Sequence, residues 1–129
     1  RKNVQYHNLE YRIKVVCSNL LDKIIDQRMD FVVANLPYIG EKEFRFVDKN
    51  VELYEPNIAL FGGFDGLQLY KKMFQQILEM QFQPKMIFGE FGFGQGNELR
   101  KLLNQFFDHK WEIFCDYAGI ERIFVVHQS

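Results

Sequence analysis

The chain has 129 residues, 47% of them hydrophobic and 16% aromatic, enough to enclose one hydrophobic core. Sixteen basic residues against seventeen acidic ones leave a formal net charge of -1, which argues against a protein that grips nucleic acid by bulk charge. No apolar run approaches the ~20 residues of a membrane span, and no secretory signal is visible.

The first nine residues read as the tail of a helix. Residues 12–17 alternate, then run apolar through Val15 and Val16, and this pattern predicts a strand. Ser18 and Asn19 are helix-capping types, and Leu20, Leu21, Ile24 and Ile25 follow at helical spacing. Residues 30–34 form a short, continuously apolar strand of the kind buried in a parallel sheet. A long connection, residues 40–64, has little periodicity, and a connection of that length is usually functional or a lid. Asp65 can cap the next helix, whose inner face carries Leu67, Tyr70, Phe74, Ile77 and Leu78. Pro84 precedes a third strand, residues 85–90, and the glycine-rich turn from Phe91 to Gly96 follows it. Leu99, Leu102, Leu103, Phe106 and Phe107 mark a further helix. Residues 111–115 and 122–126 are two last strands, joined closely enough to form an antiparallel hairpin.

Strands alternating with helices imply an α/β fold, a mostly parallel sheet with helices on both faces, closed by that hairpin. Cys17 and Cys115 each lie in an apolar run outside any CxxC pair. They are expected to be reduced, buried thiols of a cytoplasmic protein. His7, His109 and His127 form no metal motif, so no metal is expected.

Asn35, Leu36, Pro37 and Tyr38 stand at the end of the strand at residues 30–34. The C-terminal ends of parallel strands face the crevice where open α/β sheets bind ligands. The Asn35 side-chain carbonyl can accept one hydrogen of a planar NH2 group, and the Leu36 backbone carbonyl the other. Pro37 biases Leu36 toward extended geometry, and Tyr38 offers a flat face for stacking. An amide or aromatic amine is a poor nucleophile because its lone pair is delocalised. Fixing its hydrogens turns that lone pair toward an electrophile and stabilises positive charge that develops on nitrogen. An Asn-capped turn followed by proline is the plainer alternative for these four residues. Glu90, at another strand end, is expected to pair with Arg122 or to satisfy loop amides, and Asp116 to shape the hairpin turn. Phe91 and Phe93 suit either core or lid.

The four residues resemble the Asn-Pro-Pro-Tyr motif of amino-methyltransferases that use S-adenosylmethionine. With Tyr54-Glu55-Pro56, Ala59-Leu60, Gly62-Gly63, Asp65-Gly66-Leu67 and Tyr70, the chain resembles the peptide-chain release factor glutamine N5-methyltransferases. Glu90-Phe91-Gly92 with Gln95-Gly96, and Asp116 to Gly119 with Arg122, match later blocks of that family in order. The resemblance implies part of a seven-stranded Rossmann-like methyltransferase sheet, with residues 1–129 as the C-terminal portion of the catalytic domain. The family's helical N-terminal domain, glycine-rich cofactor loop and ribose-binding acidic residue would precede Arg1. An isolated chain lacking them is expected to bind S-adenosylmethionine weakly or not at all. The implied reaction moves a methyl group to the side-chain nitrogen of the glutamine in the Gly-Gly-Gln motif of release factors. Asn35, Leu36, Pro37 and Tyr38 would hold that glutamine. Asn35 would also lie beside the methyl donor, and Asn19 and Leu20 would lie along the cofactor's adenine.

The chain departs from the family pattern at Leu36, where a proline is usual, so an extra N–H needs a partner. It departs again at Asn19, where an acidic residue is usual. The alternatives are an adenine amino-methyltransferase acting on DNA or RNA, and a non-catalytic fragment that binds a partner. The near-neutral charge disfavours the first of these, and oligomeric state is not readable from the sequence.

Overall fold

A computed structural model describes residues 1–40, 63, 65–108 and 110–128. Its elements are α1 (Lys2–Tyr6), β1 (Phe31–Ala34), α2 (Gln68–Glu79), β2 (Met86–Glu90), α3 (Gly96–Phe107), β3 (Trp111–Cys115) and β4 (Glu121–His127). The expectations for Tyr54, Glu55, Pro56, Ala59, Leu60, Gly62 and His109 lie outside the described residues.

The four strands form one sheet in the order β1-β2-β4-β3. β1 pairs parallel to β2, with Ala34 opposite Gly89, and β4 runs antiparallel to both β2 and β3. Three strands therefore point one way, and β4 alone runs back between β2 and β3. The hairpin read from the sequence is present, with its second strand inside the sheet and its first on the edge. α2 bridges the parallel β1–β2 pair, as such a connection requires.

The alternation of side chains along each strand sorts the sheet into two faces. Val32, Ala34, Ile87, Phe124 and Val126 are buried on one face. Tyr70, Phe74 and Ile77 from α2 and Leu99, Leu103 and Phe107 from α3 complete that core. Phe74 lies at its centre, with ring centroids 4.9 Å from Phe107, 5.8 Å from Phe106 and 5.8 Å from Phe124. Gly89 lies beneath the Phe124 ring: a Cβ there would come within 2.3 Å of ring carbons, so the position admits glycine. On the opposite face Phe31, Val33 and Ile123 are exposed, Val33 to 82%.

Several expectations fail. Residues 12–17 are not a strand; Ile13, Val15 and Val16 are exposed, because no described strand offers that segment a ladder. The helix expected after Ser18 is instead a run of short turns, with Asp22 N–H to Asn19 O at 3.3 Å and Ile24 N–H to Leu21 O at 2.8 Å. Ser18 still serves as a cap-like acceptor, taking the Lys23 N–H at 3.0 Å. Asp65 accepts the Leu67 N–H at 3.0 Å, an Asx turn two residues before the helix N-cap, which is Leu67. Leu78 is exposed at the end of α2, and Gln76 is buried in the turn before it. Both cysteines are free but exposed. Cys17 lies on the unpaired segment, and Cys115 ends an edge strand where the register slips beside Phe114.

Candidate active site

Parallel pairing of β1 with β2 sets their C-terminal ends side by side, so Asn35 emerges next to Glu90. Tyr70, projecting from α2, reaches both ends from below. Its hydroxyl donates toward the Ala34 carbonyl at 3.3 Å and toward the Glu90 carbonyl, sharing one proton between two strand ends. Burial, reinforced by the Glu90 charge, pushes the Tyr70 phenol far above its ordinary pKa.

Tyr38 is half-buried, and its hydroxyl donates to Glu90 Oε1 at 3.3 Å. Burial, then the Glu90 charge, raises its pKa, so the phenol stays protonated and remains a donor at neutral pH. Glu90 therefore serves Tyr38 and makes no ion pair with Arg122. Arg122 instead faces Asp116, with its Nε 3.6 Å from Oδ2. Asp116 does shape the hairpin turn, accepting the N–H groups of Ala118 at 2.8 Å and Ile120 at 3.0 Å. The Ile120 amide, with lesser help from Ala118 and Arg122, holds its carboxyl below the usual range.

The turn is closed on its far side by Gln95, at the N-terminus of α3. Its Nε2 donates to the Tyr38 carbonyl at 2.7 Å and the Asp65 carbonyl at 3.1 Å, while its Oε1 accepts the Gly92 N–H at 2.8 Å. Tyr70 was legible as a core position and Gln95 as part of a glycine-rich turn. Neither had a sequence signal for its hydrogen bonds, which join residues 36 and 57 positions apart.

Beside Asn35 lies a cavity of about 480 Å3, walled by Val33, Ala34, Phe88, Gly89 and Ile123, with Asn35 and Glu90 as its polar side chains. Asn35 is exposed, and Leu36 and Pro37 are half-buried. Asn19 and Leu20 do not line this cavity. Asn19 is exposed, and Leu20 packs on the core with φ +52°. Their turn is pinned to α2 by Gln76, whose Oε1 accepts the Leu21 N–H at 3.2 Å and whose Nε2 donates to Asp22. Of the residues assigned to a cofactor, only Asn35 meets the open cavity. Its apolar wall, with the Asn35 amide and the Glu90 carboxylate at the rim, fits the cationic, methyl-bearing sulfonium of S-adenosylmethionine. The glycine turn opens α3 with Glu98 in the first helical turn, and the Glu121 carboxylate against Gly96 is paired with Arg100. Phe91 is fully buried, and Phe93 is 74% exposed.

Known proteins match this arrangement in both sequence and fold. A release factor glutamine methyltransferase from Clostridium botulinum is 34% identical over 125 residues, covering 95% of this chain and 44% of that protein. One from Bacillus cereus is 36% identical over 98 residues, covering 75% of this chain and 35% of that protein. The chain is related in sequence to the release factor glutamine methyltransferases. It spans less than half the length of these curated relatives. No family model matches it. Among solved structures, the catalytic domain of hMettl16 in complex with MAT2A 3'UTR hairpin 1 superposes with a TM-score of 0.69 at 17% identity, covering 98% of this chain and 50% of that one. The fold is thus that of part of a methyltransferase domain, which accounts for the strand order and for β4 running against its neighbours. Among the described residues no helix is long and apolar enough to cross a membrane.

Proposed function

We propose that residues 1–129 are the C-terminal, substrate-gripping portion of an S-adenosylmethionine-dependent methyltransferase domain. Its substrate is the glutamine of the Gly-Gly-Gln motif in peptide chain release factors. The observation that carries this reading is the Asn35–Tyr38 turn, held at the C-terminal end of β1 beside an open apolar cavity in a relative of release factor glutamine methyltransferases.

Asn35 Oδ1 and the Leu36 carbonyl each hold one hydrogen of the glutamine NH2, leaving its nitrogen facing the cavity. Tyr38, steadied by Glu90, gives the amide plane a surface to lie on. Val33, Phe88 and Ile123 keep that side of the site apolar, which strengthens the hydrogen bonds to the amide. When bound, S-adenosylmethionine supplies an electrophilic methyl group; Asn35 is the residue of this chain placed to contact it. Asn19 and Leu20 belong to an adenine-side contact in this reading.

The test is label transfer from methyl-labelled S-adenosylmethionine by the complete protein rather than by residues 1–129 alone, offered a release factor in one reaction and an RNA hairpin in another. Label on the Gly-Gly-Gln glutamine, lost in a Gly-Gly-Ala substrate, is the expected result. Label on RNA with the release factor unmodified favours an adenine amino-methyltransferase and overturns the proposal.

A further inference from the structure

We propose that Gln95 is the positioning residue of the Asn35–Tyr38 turn. Its carboxamide fixes the Tyr38 carbonyl and, through it, the directions in which Asn35 and the Tyr38 ring meet a bound substrate. The inference rests on reading that turn as the substrate grip.

The side chain joins three segments that are remote in sequence. Both Nε2 hydrogens are engaged, at 2.7 Å to Tyr38 O and 3.1 Å to Asp65 O, and Oε1 takes the Gly92 N–H at 2.8 Å. Two carbonyls need donors and one N–H needs an acceptor, so only one orientation of the amide satisfies all three. Two glycines make room for it. A Cβ on Gly66, which has φ +74°, would lie 2.1 Å from Tyr38 O and 2.2 Å from Gln95 Nε2. A Cβ on Gly92 would lie 2.9 Å from both Gln95 Oε1 and the Tyr38 ring. A clearance shared by two glycines and one amide ties the turn after β1, the entry to α2 and the turn after β2 into a single unit.

Tyr70 anchors the start of the turn at Ala34, and Gln95 anchors its end at Tyr38. With the Tyr38 carbonyl occupied, the acceptors this turn turns toward a substrate are the Asn35 side chain and the Leu36 carbonyl. Gln95 itself does not line the cavity beside Asn35. It acts through the residues that do.

Two variants separate its functions. Gln95→Glu keeps an acceptor for Gly92 but cannot donate to Tyr38 or Asp65. Gln95→Met keeps the length and removes all three bonds. In the full chain, both are expected to move the carbonyl 13C resonance of Tyr38 away from its wild-type position. Gln95→Met moves the Gly92 amide resonance as well; Gln95→Glu leaves that amide hydrogen-bonded. In methyl transfer to a release factor by the complete protein, both lower kcat by roughly 10- to 100-fold with little change in KM, the signature of a misplaced reacting group. Should Gln95→Glu fail to fold, Gln95→Met carries the test. A Tyr38 carbonyl resonance unmoved in a folded variant overturns the inference, as does an unchanged kcat in an active protein. A wild-type protein that transfers no methyl group, yet shows the resonance shift, defeats the functional reading and leaves the clamp standing.

Discussion

Residues 12–17 and β4 carry nearly the same signal: β-branched and apolar residues in a short run. β4 is a central strand, hydrogen-bonded on both sides, with Phe124, Val125 and Val126 buried. Residues 12–17 are unpaired, and Ile13, Val15 and Val16 are exposed. Strand propensity amounts to only ~1 kcal/mol across its whole scale and reflects fit to a pleated, half-buried surface. A segment without a ladder and a covering face has nothing to fit, whatever its residues.

The contrast can be broken most forcefully at the core that β4 helps to build. Phe74→Ala removes a ring that touches Tyr70, Phe106, Phe107 and Phe124, and it is expected to cost about 3–5 kcal/mol in equilibrium denaturation. A much smaller loss would show that α2 packs less firmly on β4 than these contacts require. Val126→Thr, nearly isosteric, places a hydroxyl at a fully buried position and should cost about 1–3 kcal/mol in the same measurement.

A subtler effect belongs to the turn that feeds β4. The Asp116 carboxyl has a lowered pKa in the folded state, so its stabilising contribution is present above the ordinary carboxylate pKa. That contribution is lost as pH falls through the folded value. The stability advantage of the native protein over Asp116→Asn should therefore shrink as pH drops from neutral into the acid range. An advantage independent of pH would mean that the Ala118 and Ile120 amides do not distinguish carboxylate from carboxamide. The smallest effect is Val15→Thr, the same exchange as at Val126 but in the unpaired segment. A change within about 0.5 kcal/mol is expected there. A loss matching that of Val126→Thr would reveal a buried, paired strand at residues 12–17 and erase the contrast.

Much of the fold was legible because its signals are local. The amphipathic faces of α2 and α3, the apolar run of β1 and the short joint at Asp116–Glu121 each follow from spacing and turn chemistry. Asn35 and Tyr38 were legible as candidates because a motif and its following blocks occur in order along the chain. What eluded the sequence was pairing. It suggested Arg122 for Glu90, but the fold gave Glu90 to Tyr38 and Arg122 to Asp116. It suggested burial for Cys115, but an edge strand with a register slip turned that thiol outward. The turns in place of a helix after Ser18 follow from Gln76 on α2 capturing Leu21 and Asp22, a competitor more than fifty residues away.

The sequence alone determined the order of elements from β1 onward, most of the inward faces of the two long helices and the place of the four-residue turn after β1. Tertiary structure decided what holds that turn: Tyr70 beneath its start and Gln95 across its end, each acting on main-chain carbonyls. Main-chain carbonyls are present at every residue, so no residue type marks which of them will be grasped. Only the stacking of β1 beside β2, with α2 laid across both, brings the grasping side chains within reach.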